Sequence, residues 1–484
     1  MPNLPGRLLA ATCLASLSLA TPPAMAAAKP VAGASPALCG PGDKPEPGIQ
    51  GDVPAGTQPR WHCGVSLVSQ LPVVGNVQGH DTCAYVRERG GQVHVIDVRN
   101  PRKPVRIGAV PVLSGSETMR VVATAERAVL VSGSSVYDIR DCRKPVLLGE
   151  IAWPPLGIKG IPQRSLPHDI RLTRAGTRVY ASFGLWEADI SNLADPASWK
   201  VTDHRCTLSA QVPGAWTEVH RQTMAKGRSL CADSARPAPM GADNVLGASP
   251  LHASVLWPQI SHTPDSNADG TRLYLGDQAG GSSALWAPVP KVRIVDMTGP
   301  QPKVVAEVNG PGHGMDWFRV GGREYILHSN EGGTTGILQQ PERGDTCQPY
   351  PRPTALGWGF EVLVSDVTEP AAARNVSMLR IAINDPEHCA ARKASGKDPW
   401  IAYHLVDNPL DARFAAVNFG TAGLRIFDIR RPETPREVAY FNHGELVHGD
   451  IGHFDAKRGL LYVAGADGFK VLSFQPAVRR ALGI

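Results

Sequence analysis

With 484 residues, 42% of them hydrophobic and 19% charged, the chain is long enough for two or three ordinary domains or one large repeat domain, and too apolar to be disordered. The net charge of +5 is small for this length and is not clustered, which argues against nucleic acid as a partner. Gly (50) and Pro (43) make up about a fifth of the chain without a collagen-like period, as suits many short strands joined by turns.

Residues 1–26 have the form of a secretory signal peptide, with Arg7 as the positive region, an apolar stretch from Leu8 to Ala20, and Ala24-Met25-Ala26 as a small-residue cleavage site. The surroundings of Cys13 make a poor lipidation box, because Leu9 lies one place too far away and Thr12 is not small enough. No later run approaches the length needed to span a bilayer, so the mature chain is expected to be periplasmic or secreted, and monomeric. Nine cysteines occur, and without Cys13 an even eight remain for an oxidising compartment. Proximity along the chain suggests Cys39 with Cys63, Cys83 with Cys142, Cys206 with Cys231, and Cys347 with Cys389; none has Cys-x-x-Cys spacing.

Residues 27–60, rich in Pro, Gly and Ala, read as a loosely ordered lead-in, 61–476 as the repeat region and 477–484 as a C-terminal tail. A strand ending in Asp, then a turn, recurs through the repeat region. Its copies include Val93-His94-Val95-Ile96-Asp97, Ser135-Val136-Tyr137-Asp138, Trp186-Glu187-Ala188-Asp189, Val292-Arg293-Ile294-Val295-Asp296, Val362-Leu363-Val364-Ser365-Asp366 and Leu424-Arg425-Ile426-Phe427-Asp428. A seventh, Gly468 to Phe474, lacks the Asp. β-Branched and aromatic residues alternate within each copy, and the Asp is expected to accept backbone N–H groups of the following turn. After several copies a Pro opens another strand, as in Asn100-Pro101-Arg102-Lys103-Pro104-Val105, Cys142-Arg143-Lys144-Pro145-Val146 and Arg431-Pro432-Glu433-Thr434-Pro435-Arg436. Seven such units with no helical period between them predict an all-β fold, a seven-bladed β-propeller, with insertions at about 204–257 and 331–357. Six or eight blades stay open, because Asp189 to Asp296 is a long interval.

A second phrase runs through the same region. His168 stands 12 residues before Tyr180, His262 12 before Tyr274, and His313 12 before Tyr325. Aligned on this spacing, His80, Glu117, His168, His262, His313, His404, and His448 or Asp450 begin the innermost strands of the blades; His80 and His404 fit loosely. Side chains at equivalent positions of innermost strands converge near one end of the channel, and imidazoles with nearby carboxylates suit zinc, copper or iron. The metal ligands expected here are His80, His168, His262, His313, His404 and His448, with Asp169, Asp316 and Asp450 placed to orient imidazoles. The same repeated residues serve equally well as hydrogen-bonding groups that build each blade. His328, three residues past Tyr325, reads as a surface histidine, and His453 has the opposite parity to the inner row.

The strand-Asp-turn phrase, clearest at Val93 to Val98 and Leu424 to Ile429, resembles the LVIVD repeat of exported bacterial and archaeal proteins, over about residues 78–474. That resemblance implies a β-propeller and no assigned activity. The His168-Asp169-Ile170 phrase before Arg178-Val179-Tyr180 is more distantly similar to the selenium-binding/methanethiol oxidase propellers, which implies copper held by channel histidines and oxidation of a small sulfur compound. This chain has no adjacent His-His pair, so that resemblance transfers no ligand by motif. The two functions carried forward are a metal-binding propeller that oxidises a small molecule and a non-catalytic scaffold whose rim loops bind a cell-envelope component or protein. There is no Gly-x-Ser-x-Gly elbow and no His-Glu-x-x-His helix.

Overall fold

The computed structural model describes residues 37–54, 56–88, 91–113, 118–153, 169–182, 185–204, 207–208, 211, 263–276, 291–329, 362–388, 404–444 and 452–484. The strand-Asp-turn copies are the third strands of separate antiparallel sheets, and the expected Asp chemistry is present in all six. Asp97, Asp138, Asp189, Asp296, Asp366 and Asp428 each accept the backbone N–H two residues on, from Arg99, Arg140, Ser191, Thr298, Thr368 and Arg430, at 2.8–3.1 Å. This bond turns the chain sharply, and the fourth strand starts directly opposite the aspartate, as Val105 does opposite Asp97. The side chains of Val93–Asp97 and Val362–Asp366 are all buried, because both faces of these strands lie against neighbouring blades.

Seven sheets result. Blade 1 contains Asn76–His80, Cys83–Arg87, Val93–Asp97 and Val105–Val110; blade 2 contains Met119–Ala123, Ala128–Ser132, Ser135–Asp138 and Val146–Glu150. Blades 3 to 6 begin with Ile170–Leu172, Thr263–Ser266, Gly314–Val320 and His404–Val406. Blade 7 has Gly452–Asp455, Leu460–Gly465 and Gly468–Phe474, and its fourth strand is Val65–Leu71 from the other end of the chain. That strand closes the ring, leaving no gap between the first and last blades. Trp61–Cys63 adds a fifth strand to blade 6, against Arg436–Asn442. The fold is a seven-bladed β-propeller.

Residues 37–54 lie against blade 6. Leu38 donates its N–H to Val438 O, Cys39 is disulfide-bonded to Cys63, and Glu46 meets the buried Arg425 through both carboxylate oxygens at 2.8–3.0 Å. Arg425 also reaches Glu437 at 3.3 Å and stacks over Tyr440. Burial pushes the Glu437 carboxyl up despite Arg425. A second disulfide, Cys83–Cys142, ties the second strand of blade 1 to the turn of blade 2. Cys206, Cys231, Cys347 and Cys389 lie outside the described residues. The chain ends in a helix, Pro476–Leu482, whose Val478 and Leu482 join the core of blades 6 and 7. Among the described residues, no helix is long and apolar enough to cross a membrane.

Candidate functional site

From blade 7 through blade 1 and on to blade 6, the first strands of successive blades touch one another and so line the axis. Counting each sheet from its turn aspartate, or from Ser473 in blade 7, gives one equivalent position per blade on these strands. It is held by Gln78, Arg120, Arg171, Asp265, Asp316, Leu405 and His453. Arg120, Arg171, Asp265 and Asp316 of this row belong to a polar network that His404, beside Leu405, also joins.

Arg171 of blade 3 spans blade 4 to reach blade 5. Its Nε donates to Pro264 O at 3.1 Å, one Nη donates to Met315 O, and the other lies 3.3 Å from Asp316 Oδ1. Blades 3 and 5 are not neighbours, so this contact crosses the channel. The second oxygen of Asp316 accepts from Nδ1 of His404, on the first strand of blade 6. A carboxylate oxygen accepts here, so Nδ1 carries a hydrogen, and Nε2 is the ring's other nitrogen. Nε2 is buried and has no hydrogen-bond partner among the described residues. Burial alone would push Asp316 up; Arg171, His404 and Arg120 outweigh it and hold the carboxyl below its ordinary range.

Two further layers brace this centre. Arg174 lies over the Trp317 ring at 5.1 Å and donates to Trp317 O at 3.2 Å. Burial pushes its guanidinium down, while Asp265 and Asp316 pull the other way. Asp265 accepts the Trp317 N–H at 2.6 Å. On the other side, Asp169 takes hydrogen bonds from Thr118 Oγ1 and the Ile170 N–H, with Arg120 at 3.7 Å.

The expected ligands divide into three groups. His168, His262 and His448 lie outside the described residues, as do Glu117 and Asp450. His313 is fully buried just before the first strand of blade 5; its N–H donates to Ser329 O and its carbonyl accepts from Thr263 Oγ1. His404 is the imidazole held by Asp316. His80 sits at the opposite end of its strand, beside the Asp81 turn, where burial and Lys457 push its pKa down against Asp81. The register therefore separates His80 from His313. Asp316 does orient an imidazole, but that of the next blade.

Two readings need correction. His328 is not a surface histidine: its ring is fully buried, with Nδ1 2.7 Å from Pro311 O and Nε2 2.7 Å from Ser365 Oγ. It packs under Gly310 (φ +134°), where a Cβ would come within 2.6 Å of the ring, and burial takes its pKa down to about 4. Tyr325 does not stand where Tyr180 and Tyr274 stand. It pairs with Asp366, the place of Arg178 and Arg272 in their blades, because the first hairpin of blade 5 is longer. The spacing of 12 residues is equal there by count only. Arg171 and Arg174 were not singled out by the sequence, which offers no spacing that marks them.

Among the described residues, three metal-ligating side chains converge only at Cys39, Asp43 and Cys63, where the two sulfurs are joined in the disulfide. No family model and no curated protein matches the chain. It is similar to solved structures at low identity. The β-propeller domain of Myceliophteria thermophila Cps50 (Swd1) is 10% identical, with 85% of this chain and 100% of that chain covered and a TM-score of 0.46. The RRP9 WD40 repeats are 8% identical, with 88% and 99% covered and a TM-score of 0.45. A functionally unknown protein from Desulfotomaculum acetoxidans is 8% identical, with 80% and 89% covered and a TM-score of 0.43.

Proposed function

We propose that the chain is an exported, LVIVD-like β-propeller that binds a transition metal at the channel mouth, with His404 as a ligand through Nε2. The carrying observation is the imidazole itself: Nδ1 is fixed by Asp316 and Nε2 is buried with no partner among the described residues. A carboxylate that orients a histidine and raises its basicity is the usual outer support of a metal-bound imidazole. Neutral imidazole suits copper, zinc and iron, and the resemblance to methanethiol oxidase propellers favours copper. Such an ion would supply redox chemistry for a small sulfur substrate; Arg171 fixes Asp316, and Asp316 fixes the ring. His313, His168, His262 and His448 are the remaining candidates for the ligand set, from the repeat spacing. Export is supported by the signal-peptide form of residues 1–26 and by the two disulfides.

A second reading, the scaffold, draws on a different observation. The outermost strands of blades 1 and 2 expose Val105, Ile107, Val146 and Leu147, an apolar rim of the kind that receives a partner. Metal analysis of protein purified without a His tag separates the two. Near-stoichiometric metal that falls in a His404→Ala variant supports the channel site; protein without metal, or metal content unchanged in that variant, leaves the scaffold.

A further inference from the structure

A feature outside the channel sets blade 6 apart. In blades 1 and 2 the residue two after the turn aspartate is an arginine, Arg99 or Arg140, and the residue opposite that aspartate on the outer strand is a valine, Val105 or Val146. In blades 3, 4 and 5 the first place holds a hydroxyl residue, Ser191, Thr298 or Thr368, and the second a cation, Lys200, Lys303 or Arg374. Blade 6 has arginine at both places, Arg430 and Arg436, and adds Arg431 between them.

Only one of these three is neutralised by the aspartate. Arg430 engages both oxygens of Asp428, Nε at 3.0 Å and Nη2 at 2.6 Å. Among the described residues, neither Arg431 nor Arg436 has a carboxylate partner, and Glu433 of the same turn is directed to Tyr325 OH at 3.2 Å. Asp428, Arg430, Arg431, Thr434 and Arg436 line a cavity of about 470 Å³. The turn is held in place from blade 5, where Ser377 Oγ donates to Pro432 O, and internally by Thr434 N–H to Arg431 O at 2.9 Å.

We propose that this cavity binds the phosphate monoester of a small organic molecule. Two guanidinium groups and the Thr434 hydroxyl offer the planar and single donors that a phosphate accepts, and guanidinium–phosphate bonds are among the stronger hydrogen bonds. The volume falls in the range of small-molecule pockets and leaves room for an organic body beyond the phosphate. The anchored turn means little ordering is needed on binding.

Isothermal titration calorimetry on the full chain, with inorganic phosphate, glucose 6-phosphate and glucose as probes, tests this. The expected result is binding of glucose 6-phosphate, weaker binding of inorganic phosphate and none of glucose. Affinity should fall on the order of tenfold for each arginine removed in Arg431→Gln/Arg436→Gln. Both side chains are exposed, so the melting temperature of that variant should match the wild type. An Arg102→Gln/Lys103→Gln variant in the corresponding turn of blade 1 should bind like the wild type. Failure of both phosphate probes to bind, equal binding by the blade 6 variant, or equal loss in the blade 1 variant overturns the site. Inorganic phosphate bound as tightly as the ester overturns the ester.

Discussion

Asp316 and His404 meet across the boundary between blades 5 and 6, carboxylate to Nδ1, with Arg171 from blade 3 closing on the other carboxylate oxygen. Three blades are thus joined through one side chain at the channel. Replacing Asp316 by Ala takes the carboxylate from the buried His404 imidazole and leaves the Arg171 charge with carbonyl partners only. A loss of about 3 kcal/mol is expected, from the cost of leaving partners of a buried ion pair uncompensated. Urea denaturation would show it as a lower midpoint, and an unchanged midpoint would mean that the network is not structural.

Acid should weaken the fold before carboxylates titrate. His328, His443 and His453 are each driven down to about 4, chiefly by burial. Between an ordinary histidine pKa of about 6.5 and about 4, the unfolded chain binds protons that the folded chain refuses. Stability from these groups is therefore complete above the upper value and is lost as pH falls through that window. Urea midpoints at pH 7.5 and pH 4.5 should differ, with a smaller drop in His443→Gln, whose ring lies 3.0 Å from His62. Equal midpoints at the two pH values would contradict this.

The lead-in should depend on one ion pair. Glu46→Ala leaves Arg425 buried against Glu437 alone, and a loss of about 3 kcal/mol is expected. Hydrogen exchange would rise first over 37–54, since Glu46 and Cys39 hold that segment to blade 6. Exchange unchanged there would show that other contacts suffice.

The two described disulfides should contribute unequally. Cys83–Cys142 closes a loop with sequence separation 59 and Cys39–Cys63 one of 24. In the chain-entropy account these correspond to about 4 and about 3 kcal/mol. The double replacement Cys83→Ala/Cys142→Ala should therefore lower the melting temperature more than Cys39→Ala/Cys63→Ala, by calorimetry. The reverse order would mean that native packing, rather than loop closure, sets the difference.

The blades were legible because their grammar is local. Asp97, Asp138 and Asp428 act on amides two residues away, so the motif and its bond are written in adjacent positions. The closing strand Val65–Leu71 was not legible, since its partner Gly468–Phe474 lies at the far end of the chain and nothing in its own sequence names it. The candidate site was only half visible for the same reason. Asp316 and His404 are near each other only once the ring has closed, and a histidine spacing within blades cannot show which side chains meet between them. Blade 5 shows the hazard directly: Tyr325 preserves the count while its longer hairpin shifts the register.

The central claim is that Nε2 of His404 binds metal with Asp316 behind it. The most direct measurement is Cu(II) affinity of metal-stripped, tag-free protein against a competing chelator, for the wild type, His404→Ala and Asp316→Asn. The account predicts that His404→Ala loses the tight site and that Asp316→Asn, with the imidazole no longer fixed by a carboxylate, binds about 10- to 100-fold more weakly. Wild-type affinity retained in His404→Ala would contradict it.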